Sequence, residues 1–308
     1  MNSAGISAAP AGALLPSGRD GARIPSVDWW ITSRCNLACD FCYGPVPRRD
    51  PVERRESILA ALRSCSASVV TFCGGEPLLV RKVDEYAATL SAHGKYTVLN
   101  TNGSLLRKRL SQGFQLAFDV VGISLDGSTQ AVHRAMRGPN ADLAEALSAA
   151  EVISQAAGTR LKLATVVSGV NRDDLPSLAK IVRDLQPDIW RLYQYSKRGA
   201  QNIGQQRHSM SDGEFEELVA RVATLAAPVP TACSSETQTA GCLIVDPEGN
   251  VLQPSGAGYE HRGNCLTESL DDIWAKIPAR SVILSNKQWL SALTLPRAGQ
   301  ALSESTAT

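Results

Sequence analysis

The sequence predicts an α/β fold: a partial (β/α)6 barrel with a small α+β extension at the C-terminal end. Apolar, β-prone runs alternate with segments of helical period from about residue 27 to residue 226, which indicates stacked βα units around a parallel sheet. This alternation ends near residue 230, where two short apolar runs flank a turn-rich segment. A chain of 308 residues is long enough for one large domain with such an extension.

Each βα unit of the barrel is predicted from its own run of residues. The predicted strands cover residues 27–33, 68–73, 95–101, 118–125, 160–167 and 189–195. The predicted helices cover residues 51–64, 80–93, 104–112, 140–157, 173–185 and 211–226. Ser211 and Glu214 have the spacing of a capping box, which supports a helix start at that point.

The segments outside the core are predicted from composition. Residues 1–26 are rich in Ala, Gly, Ser and Pro and lack the basic start and apolar run of a secretion signal, so we expect a flexible tail. The core covers residues 27–226. Residues 227–280 form the extension, with a hairpin from 243–245 and 251–253 and a helix at about 268–276. Residues 281–308 are expected to be a second tail, disordered over its last ten residues.

Composition limits the partners and the location. The net charge is only +1, so there is no electrostatic case for a nucleic acid or an anionic membrane as a partner. No apolar run is long enough to span a bilayer. Eight cysteines in a chain without a secretion signal indicate ligands, core residues or reactive thiols rather than disulfides. We therefore expect a cytoplasmic protein that acts on a small-molecule substrate.

Three cysteines lie close together directly after the first predicted strand. Cys35, Cys39 and Cys42 fall within eight residues. Three thiolates can bind three irons of a [4Fe–4S] cluster and leave the fourth iron open to a small-molecule ligand. The alternative is a zinc knuckle, which needs a fourth ligand at knuckle spacing, whereas Cys65 lies beyond a predicted helix. The pattern favours a metal cluster.

The same motif, with Phe41 before its last cysteine, resembles the signature of the radical S-adenosylmethionine (SAM) superfamily. In that family a GGEP motif follows the second strand, as residues 74–77 do here. Gly74 and Gly75 then allow close approach of the backbone to SAM, and Glu76 binds its methionyl amino group. The alternative is an ordinary strand-to-helix turn. The resemblance implies a radical SAM barrel, a [4Fe–4S] cluster, SAM, and an external one-electron reductant of the flavodoxin or ferredoxin type.

Further SAM contacts follow from the resemblance. Asn102 and Ser124 end the third and fourth predicted strands, where ligand groups collect in barrel folds. They are expected to contact the methionine or ribose part of SAM, and Arg137, in the family-like stretch 133–138, is expected to bind its carboxylate. The Asn-Gly pair at residues 102–103 is also a common turn, so a purely structural role stays open.

The extension resembles the opening hairpin of a SPASM or twitch domain, beginning at Cys242. In that pattern a second cysteine stands where this chain has Pro254. We therefore expect a degenerate extension without an auxiliary cluster, although Cys233, Cys242 and Cys265 remain candidate ligands. The same three thiols are candidate catalytic residues that return hydrogen to a substrate radical.

Residues 190–194 and 211–216 resemble viperin-like radical SAM enzymes, which act on nucleotides. Three nucleotide-binding positions differ, however: Val69 replaces a Lys, Cys73 a Ser and Asp28 an Asn. A triphosphate needs cations and hydrogen-bond donors, so the sequence favours a neutral nucleoside or a sugar.

The expected function is therefore reductive cleavage of SAM to a 5′-deoxyadenosyl radical, which abstracts hydrogen from a small polar metabolite in a biosynthetic pathway. Dehydrogenation, epimerisation and carbon–carbon bond formation are all open as outcomes. One alternative is a maturase that modifies a ribosomally made peptide, and another is a non-catalytic iron–sulfur or zinc-binding protein. The predicted substrate-facing residues are Arg191, Tyr193, Gln194, Tyr195 and Tyr259.

Overall fold

A computed structural model describes residues 23–44, 49–198, 205–234, 242–256 and 258–278. Over these ranges the chain forms one ten-stranded sheet with helices packed against it. The strands are β1 (Val27–Thr32), β2 (Val69–Gly74), β3 (Tyr96–Thr101), β4 (Val120–Ser124), β5 (Arg160–Val167), β6 (Ile189–Gln194), β7 (Thr231–Ser234), β8 (Leu243–Val245), β9 (Asn250–Ser255) and β10 (Gly258–Asn264). The helices are α1 (Arg55–Ser64), α2 (Val83–Ala92), α3 (Leu106–Ser111), α4 (Gln130–Arg137), α5 (Leu143–Ser154), α6 (Leu175–Leu185), α7 (Asp212–Ala226) and α8 (Leu270–Ala275).

The order of the strands confirms the predicted fold class. Strands β1 to β7 lie side by side in chain order and run parallel. Strand β8 pairs parallel with the other side of β1, and β9 and β10 continue the sheet in antiparallel fashion. The six predicted βα units are present, and the strands of the extension belong to the same sheet.

Helix α4 and strands β7 and β10 were not anticipated from the sequence. Helix α4 buries only His133 and Met136 and is defined mainly by its ends: Thr129 caps the first turn, and Gly138 ends the helix at φ +90°. Strand β7 lies just beyond the predicted core, and β10 is a polar edge strand. Ile24 and Ser26 are buried, so the packed chain begins slightly before residue 27. Residues 1–22 and 279–308 lie outside the described residues, and the predicted tails stay predictions.

The two faces of the strands have different chemistry. On the outer face, apolar side chains pack against the helices; the Trp29 ring lies 5.3 Å from that of Phe72 and 5.7 Å from that of Tyr86, centroid to centroid. On the inner face, a small apolar cluster of Val69, Val98, Val120 and Ile189 fills one end of the barrel. Beyond it the inward side chains are mostly polar and line a cavity.

The turn between β8 and β9 confirms the predicted hairpin. The Asp246 carboxylate accepts hydrogen bonds from the backbone N–H groups of Glu248 and Asn250, both at 2.9 Å. Gly249 has φ +83°, a conformation that favours glycine. The hairpin is held against the barrel through the β8–β1 pairing. In the part of the chain that the structure describes, no helix has the length and apolar composition to cross a membrane.

Candidate active site

The loop that carries the three predicted cluster ligands begins at the end of β1, where hydrogen bonds fix its backbone. The Thr32 hydroxyl donates to Asp50 at 2.7 Å and accepts from the backbone N–H of Arg34 at 3.1 Å. Arg55 donates to both oxygens of Asp50 and to the carbonyl of Ile31. Residues on helix α1 and its preceding loop thus hold the backbone that leads into Cys35.

The two glycines after β2 allow the chain to pack directly on this loop. A Cβ atom at Gly75 would lie 2.0 Å from the carbonyl oxygen of Arg34, and one at Gly74, where φ is +119°, would lie 2.6 Å from the carbonyl oxygen of Thr32. Because the two glycines have no side chains, the backbones approach closely: the N–H of Gly75 donates to Thr32 O, and the N–H of Glu76 donates to Arg34 O, both at 2.8 Å. The GGEP motif therefore sets the position of the cysteine loop as well as lining the cavity.

The three thiols share this loop and line one cavity. The backbone N–H groups of Leu37 and Gly44 point at the sulfurs of Cys35 and Cys42, each at 3.4 Å. Burial raises the pKa of all three thiols, that of Cys39 to about 12, so the thiols become thiolates when a metal replaces their protons. N–H groups aimed at sulfur and three soft donors on one loop fit an iron–sulfur cluster.

A single zinc ion would need different geometry. Among the residues that the structure describes, no three His, Cys, Asp or Glu side chains converge closely enough to hold one metal ion. A cubane places each thiolate on a different iron, whereas zinc gathers its ligands around one point.

The far side of the cysteine loop is anchored by a segment from the other end of the barrel. His208, which is fully buried, donates through Nε2 to the Asp40 carboxylate at 2.9 Å, and Arg207 donates through Nε to the same carboxylate at 3.1 Å. Desolvation alone would raise the pKa of Asp40, but these hydrogen bonds outweigh it and lower the pKa. The Phe41 ring packs edge-on against the His208 ring, with ring centroids 5.6 Å apart, so His208 contacts both Asp40 and Phe41 of the cysteine loop.

Glu76 is a buried carboxylate held by three donors. Its Oε1 accepts from the Thr101 hydroxyl at 2.7 Å and from Leu78 N at 3.0 Å, and its Oε2 accepts from Asn102 N at 2.9 Å. Desolvation raises the pKa of Glu76, against the lowering effect of these hydrogen bonds and of Arg137. Carboxylate oxygens have further acceptor capacity, and the side chain lines the cavity beside the cysteine loop, which suits an ammonium group.

Asn102 links the end of β3 to the spacer between the first two cysteines. Its Nδ2 donates to Asn36 Oδ1 at 2.9 Å, while Asn36 donates to the Ser104 hydroxyl at 2.8 Å. Ser104 in turn donates to Asn102 Oδ1. Asn102 therefore positions the cysteine loop in addition to lining the cavity, where Ser124 at the end of β4 also lies.

Arg137 forms a buried ion pair beside the cysteines. Its Nε donates to Asp126, whose other oxygen accepts from Val166 N at 2.6 Å. The guanidinium carbon lies 5.7 Å from the centre of the Phe41 ring, and the backbone carbonyl of Arg137 accepts from the Cys39 thiol at 3.5 Å. This geometry places a fixed positive charge at the cavity wall, which suits a carboxylate.

Two cations that were not predicted from the sequence also line the cavity. Lys162 is buried on β5, and its Nζ crosses Gly122 to reach Asn100 Oδ1 at 2.6 Å. A Cβ atom at Gly122 would lie 2.4 Å from Lys162 Cε, so the glycine makes room for this crossing. A charged residue between apolar neighbours in a parallel strand was the available signal. Arg198, which donates to Gly256 O at 3.2 Å, is the second cation that was missed.

The predicted substrate-facing residues do lie together. Arg191, Tyr193, Gln194, Tyr195 and Tyr259 all line the cavity. The Arg191 guanidinium lies 5.1 Å from the centre of the Tyr193 ring. Tyr259 meets Trp30 edge-to-face at 5.2 Å and donates through its hydroxyl to Tyr43 O at 2.8 Å. The extension thereby closes one side of the cavity.

The three remaining candidate thiols do not share one site. Cys242 lines the cavity, with its sulfur 3.4 Å from Asp28 Oδ2, and stays a predicted hydrogen donor. Cys265 is buried in the main hydrophobic core and is not among the residues that line the cavity, so its role as a hydrogen donor stays a prediction without support from its position. Cys233 lies on β7, opposite Leu192 on β6. Cys242 therefore lies at the cavity wall and Cys265 in the core, and the absence of an auxiliary cluster stays a prediction.

A family comparison agrees with this geometry. Residues 30–182 match the sequence model of the radical SAM superfamily. The chain belongs to the radical SAM superfamily. It is therefore a radical SAM enzyme that uses a [4Fe–4S] cluster and SAM, and it requires a reductant and a substrate.

Curated relatives of this radical SAM enzyme act on more than one kind of molecule. It is 26% identical to an S-adenosylmethionine-dependent nucleotide dehydratase from Flammeovirga pacifica, over 79% of this chain and 87% of the relative. It is 31% identical to an Fe-coproporphyrin III synthase from Methanosarcina barkeri, over 44% of this chain, and spans 40% of that relative's length.

Among solved structures, SuiB from Streptococcus suis bound to S-adenosylmethionine superposes with a TM-score of 0.66. The alignment covers 89% of this chain and 72% of SuiB at 16% identity, which establishes a shared fold.

Proposed function

We propose that this radical SAM enzyme abstracts hydrogen from a phosphorylated, nucleotide-type metabolite in a biosynthetic pathway. The observation that carries the proposal is the set of three cationic side chains, Lys162, Arg191 and Arg198, that line one cavity with the cysteine loop. When bound, the cluster and SAM supply the one-electron cleavage that releases a 5′-deoxyadenosyl radical. The protein supplies binding, orientation and exclusion of water.

In this proposal the residues near the cysteine loop bind the cofactors. Cys35, Cys39 and Cys42 hold the cluster, and the N–H groups aimed at two of the sulfurs stabilise its negative charge. Glu76 accepts from the ammonium group of SAM, and Arg137 binds the carboxylate. Gly74 and Gly75 leave room for the methionyl part, and Phe41, Asn102 and Ser124 form the adjoining wall.

The opposite end of the cavity binds the substrate. Lys162 and Arg191 project from neighbouring strands to the same inner face, and Arg198 follows β6. Cations in a water-poor cavity bind phosphate oxygens strongly, because desolvated charge-assisted hydrogen bonds are about twice as strong as neutral ones. Tyr193 and Tyr259 offer faces on which a base or sugar packs. We therefore favour a phosphorylated substrate over the neutral nucleoside or sugar that the sequence favoured. The cations that a phosphate needs come from β5, from β6 and from the segment after β6.

The comparison with relatives supports a nucleotide over a porphyrin. The nucleotide dehydratase aligns over 79% of this chain and 87% of its own length, whereas the porphyrin-related synthase aligns over less than half of each. The likeness to SuiB concerns the fold alone and carries no argument about substrate.

A substrate panel tests the proposal. The anaerobically reconstituted enzyme is reduced with dithionite and given SAM together with ribonucleoside triphosphates, monophosphates, nucleosides, sugar phosphates or a peptide mixture, and 5′-deoxyadenosine is measured by mass spectrometry. We expect at least one phosphorylated nucleotide to raise its formation tenfold or more above the substrate-free rate. Stimulation by neutral nucleosides or peptides, but by no nucleotide, contradicts the proposal.

A charge-neutral variant tests the role of the cations. Lys162→Met should raise the KM for the nucleotide at least tenfold and leave substrate-free SAM cleavage unchanged. Lys180→Met removes an exposed lysine on α6 and serves as the control, with wild-type kinetics expected. Equal KM values in the two variants would show that Lys162 does not bind the substrate.

A further inference from the structure

A short segment before α7 connects the loop after β5 to the cysteine loop. Gly169 N donates to the carbonyl of His208 at 3.2 Å, and a Cβ atom at Gly169 would lie 2.6 Å from Arg207 O, so the glycine permits this close packing. The His208 ring packs against the rings of Phe41 and Tyr195, with centroids 5.6 and 5.2 Å away. His208 is therefore fixed in a buried position beside the cysteine loop.

The hydrogen bonds of Ser168 determine which nitrogen of His208 carries the ring proton. The Ser168 hydroxyl oxygen accepts from Val170 N at 3.2 Å and lies 3.1 Å from His208 Nδ1. Its one proton has two acceptors within reach, Nδ1 and the sulfur of Met136 at 3.4 Å, and the imidazole nitrogen is the stronger of the two. The hydroxyl therefore donates to Nδ1, which leaves the ring proton on Nε2. Nε2 then donates to Asp40 Oδ1 at 2.9 Å.

Asp40 is the residue through which this hydrogen bond acts on the predicted cluster ligands. It lies between Cys39 and Cys42, in a turn closed by the hydrogen bond from Cys42 N to Cys39 O at 3.2 Å. A displaced Asp40 would move the backbone of both cysteines, and groups of a functional site must keep their positions to within about 0.5 Å. Residues that orient metal ligands through hydrogen bonds typically contribute about 10–100-fold to metal affinity.

Arg207 also donates to the Asp40 carboxylate, at 3.1 Å, but it is less suited to fix its position. The Arg207 side chain is 52% exposed, whereas that of His208 is fully buried. An exposed ion pair is screened by water and contributes little, because ordering a long side chain offsets most of the attraction. The buried hydrogen bond from a packed ring is the more rigid contact.

We infer that His208 is a positioning residue for the [4Fe–4S] cluster: held by Ser168, it fixes Asp40 and with it the turn between Cys39 and Cys42. A residue far along the chain thus controls how firmly the cysteine loop holds iron. The inference rests on the ligand set of the proposed function and on no property of the substrate.

Three single substitutions separate the hydrogen bond from charge and from ring packing. In His208→Asn, the amide nitrogen takes the place of Nδ1 and does not reach Asp40. In His208→Gln, the amide nitrogen takes the place of Nε2 and restores the donor. Arg207→Gln removes the exposed charge beside the same carboxylate and keeps the buried hydrogen bond. Each reconstituted protein is mixed with a ferrous chelator to measure the rate of iron release, and the electron paramagnetic resonance spectrum of the dithionite-reduced cluster is recorded.

His208→Asn should release iron about tenfold faster than wild type or more, with a changed spectrum, whereas His208→Gln and Arg207→Gln should stay within about threefold and keep the wild-type spectrum. Equal release by His208→Asn and wild type overturns the inference. Equally fast release by His208→Gln assigns the effect to the ring, and faster release by Arg207→Gln assigns it to charge; either result overturns the inference as well. A wild type that binds no iron would instead contradict the ligand set of the proposed function.

Asp40→Ala keeps the test decisive if substitution of the buried histidine destabilises the fold, which urea unfolding of the metal-free proteins measures. The Asp40 side chain is 28% exposed, and its removal breaks the same hydrogen bond from the other end. Its iron release should match that of His208→Asn, and the double variant should release iron no faster than either single variant. Additive acceleration in the double variant would show that the two residues act separately and would overturn the inference.

Discussion

The contact between the GGEP motif and the cysteine loop makes Gly75→Ala an informative change. The glycine has no φ in the left-handed region, so alanine adds a methyl group without backbone strain at its own position. That methyl carbon would lie 2.0 Å from Arg34 O, 2.5 Å from Arg34 C and 3.0 Å from Ser33 C. All three neighbours are backbone atoms of the loop that leads into Cys35, and they cannot rotate away.

The size of the effect follows from these distances. To restore even a tight 3.0 Å contact, the two backbones must separate by 3.0 − 2.0 = 1.0 Å. Overpacking of this kind costs about 1–3 kcal/mol of unfolding free energy. Ligands of a functional site must hold their positions to within about 0.5 Å, so a shift of this size at Cys35 should at least halve the iron bound per chain.

The assay combines iron and sulfide content after anaerobic reconstitution with urea unfolding of the metal-free protein. Gly213→Ala is the control, because a Cβ atom there would meet nothing within 4 Å and the residue lies in helix α7, where alanine is favourable. We expect the control to match wild type in iron content and to be equally or slightly more stable. Wild-type iron content and unfolding free energy in Gly75→Ala would refute the steric argument.

Three further predictions concern the site and its surroundings. Wild type should bind about four irons per chain, and Cys42→Ser should lose most of them without a change in the circular dichroism of the metal-free protein; full loading of the variant would contradict the ligand assignment. Glu76→Gln should raise the Kd for SAM about tenfold or more, because a charge-assisted hydrogen bond contributes about 1.5–3 kcal/mol, and equilibrium binding checks this. Burial lowers the pKa of His133 to about 4, so its unfolded form binds more protons between pH 4 and 6.5, and about 2 kcal/mol of stability should be lost from pH 7 to pH 5. In His133→Gln, the free energy of unfolding measured with urea should fall less between pH 7 and pH 5. The same fall as in wild type would contradict the assignment to His133.

The sequence alone identified the family because its decisive residues are close together in the chain. Cys35, Cys39 and Cys42 share one loop, and Gly74, Gly75 and Glu76 share another, each directly after an apolar strand. The alternation of apolar strands and amphipathic helices likewise depends on local periodicity, which is why the six βα units and the fold class could be predicted. The predicted helix start at Ser211 is confirmed, because Ser211 is the N-cap of α7 and forms a capping box with Glu214.

Only the tertiary structure decided how these loops are held and what faces them. Asp40 meets His208 across 168 positions of sequence, and Lys162 meets Asn100 across 62. Lys162 stands out locally as a charge between Leu161 and Leu163, but nothing in the sequence identifies the partner of either residue, because the partners are far apart in the chain. Strand β10 was missed because its polar sequence is held by pairing with β9 rather than by an apolar pattern. Helix α4 was missed because it is only 8 residues long.

The same distinction separates the cofactor from the substrate. The predicted ligands of the cluster and of SAM come from short contiguous motifs, because the backbone of one loop can present several groups to one ligand. The proposed substrate site is assembled from β5, β6, the segment after β6 and the extension, so its charge becomes visible only when the fold brings Lys162, Arg191 and Arg198 to one cavity.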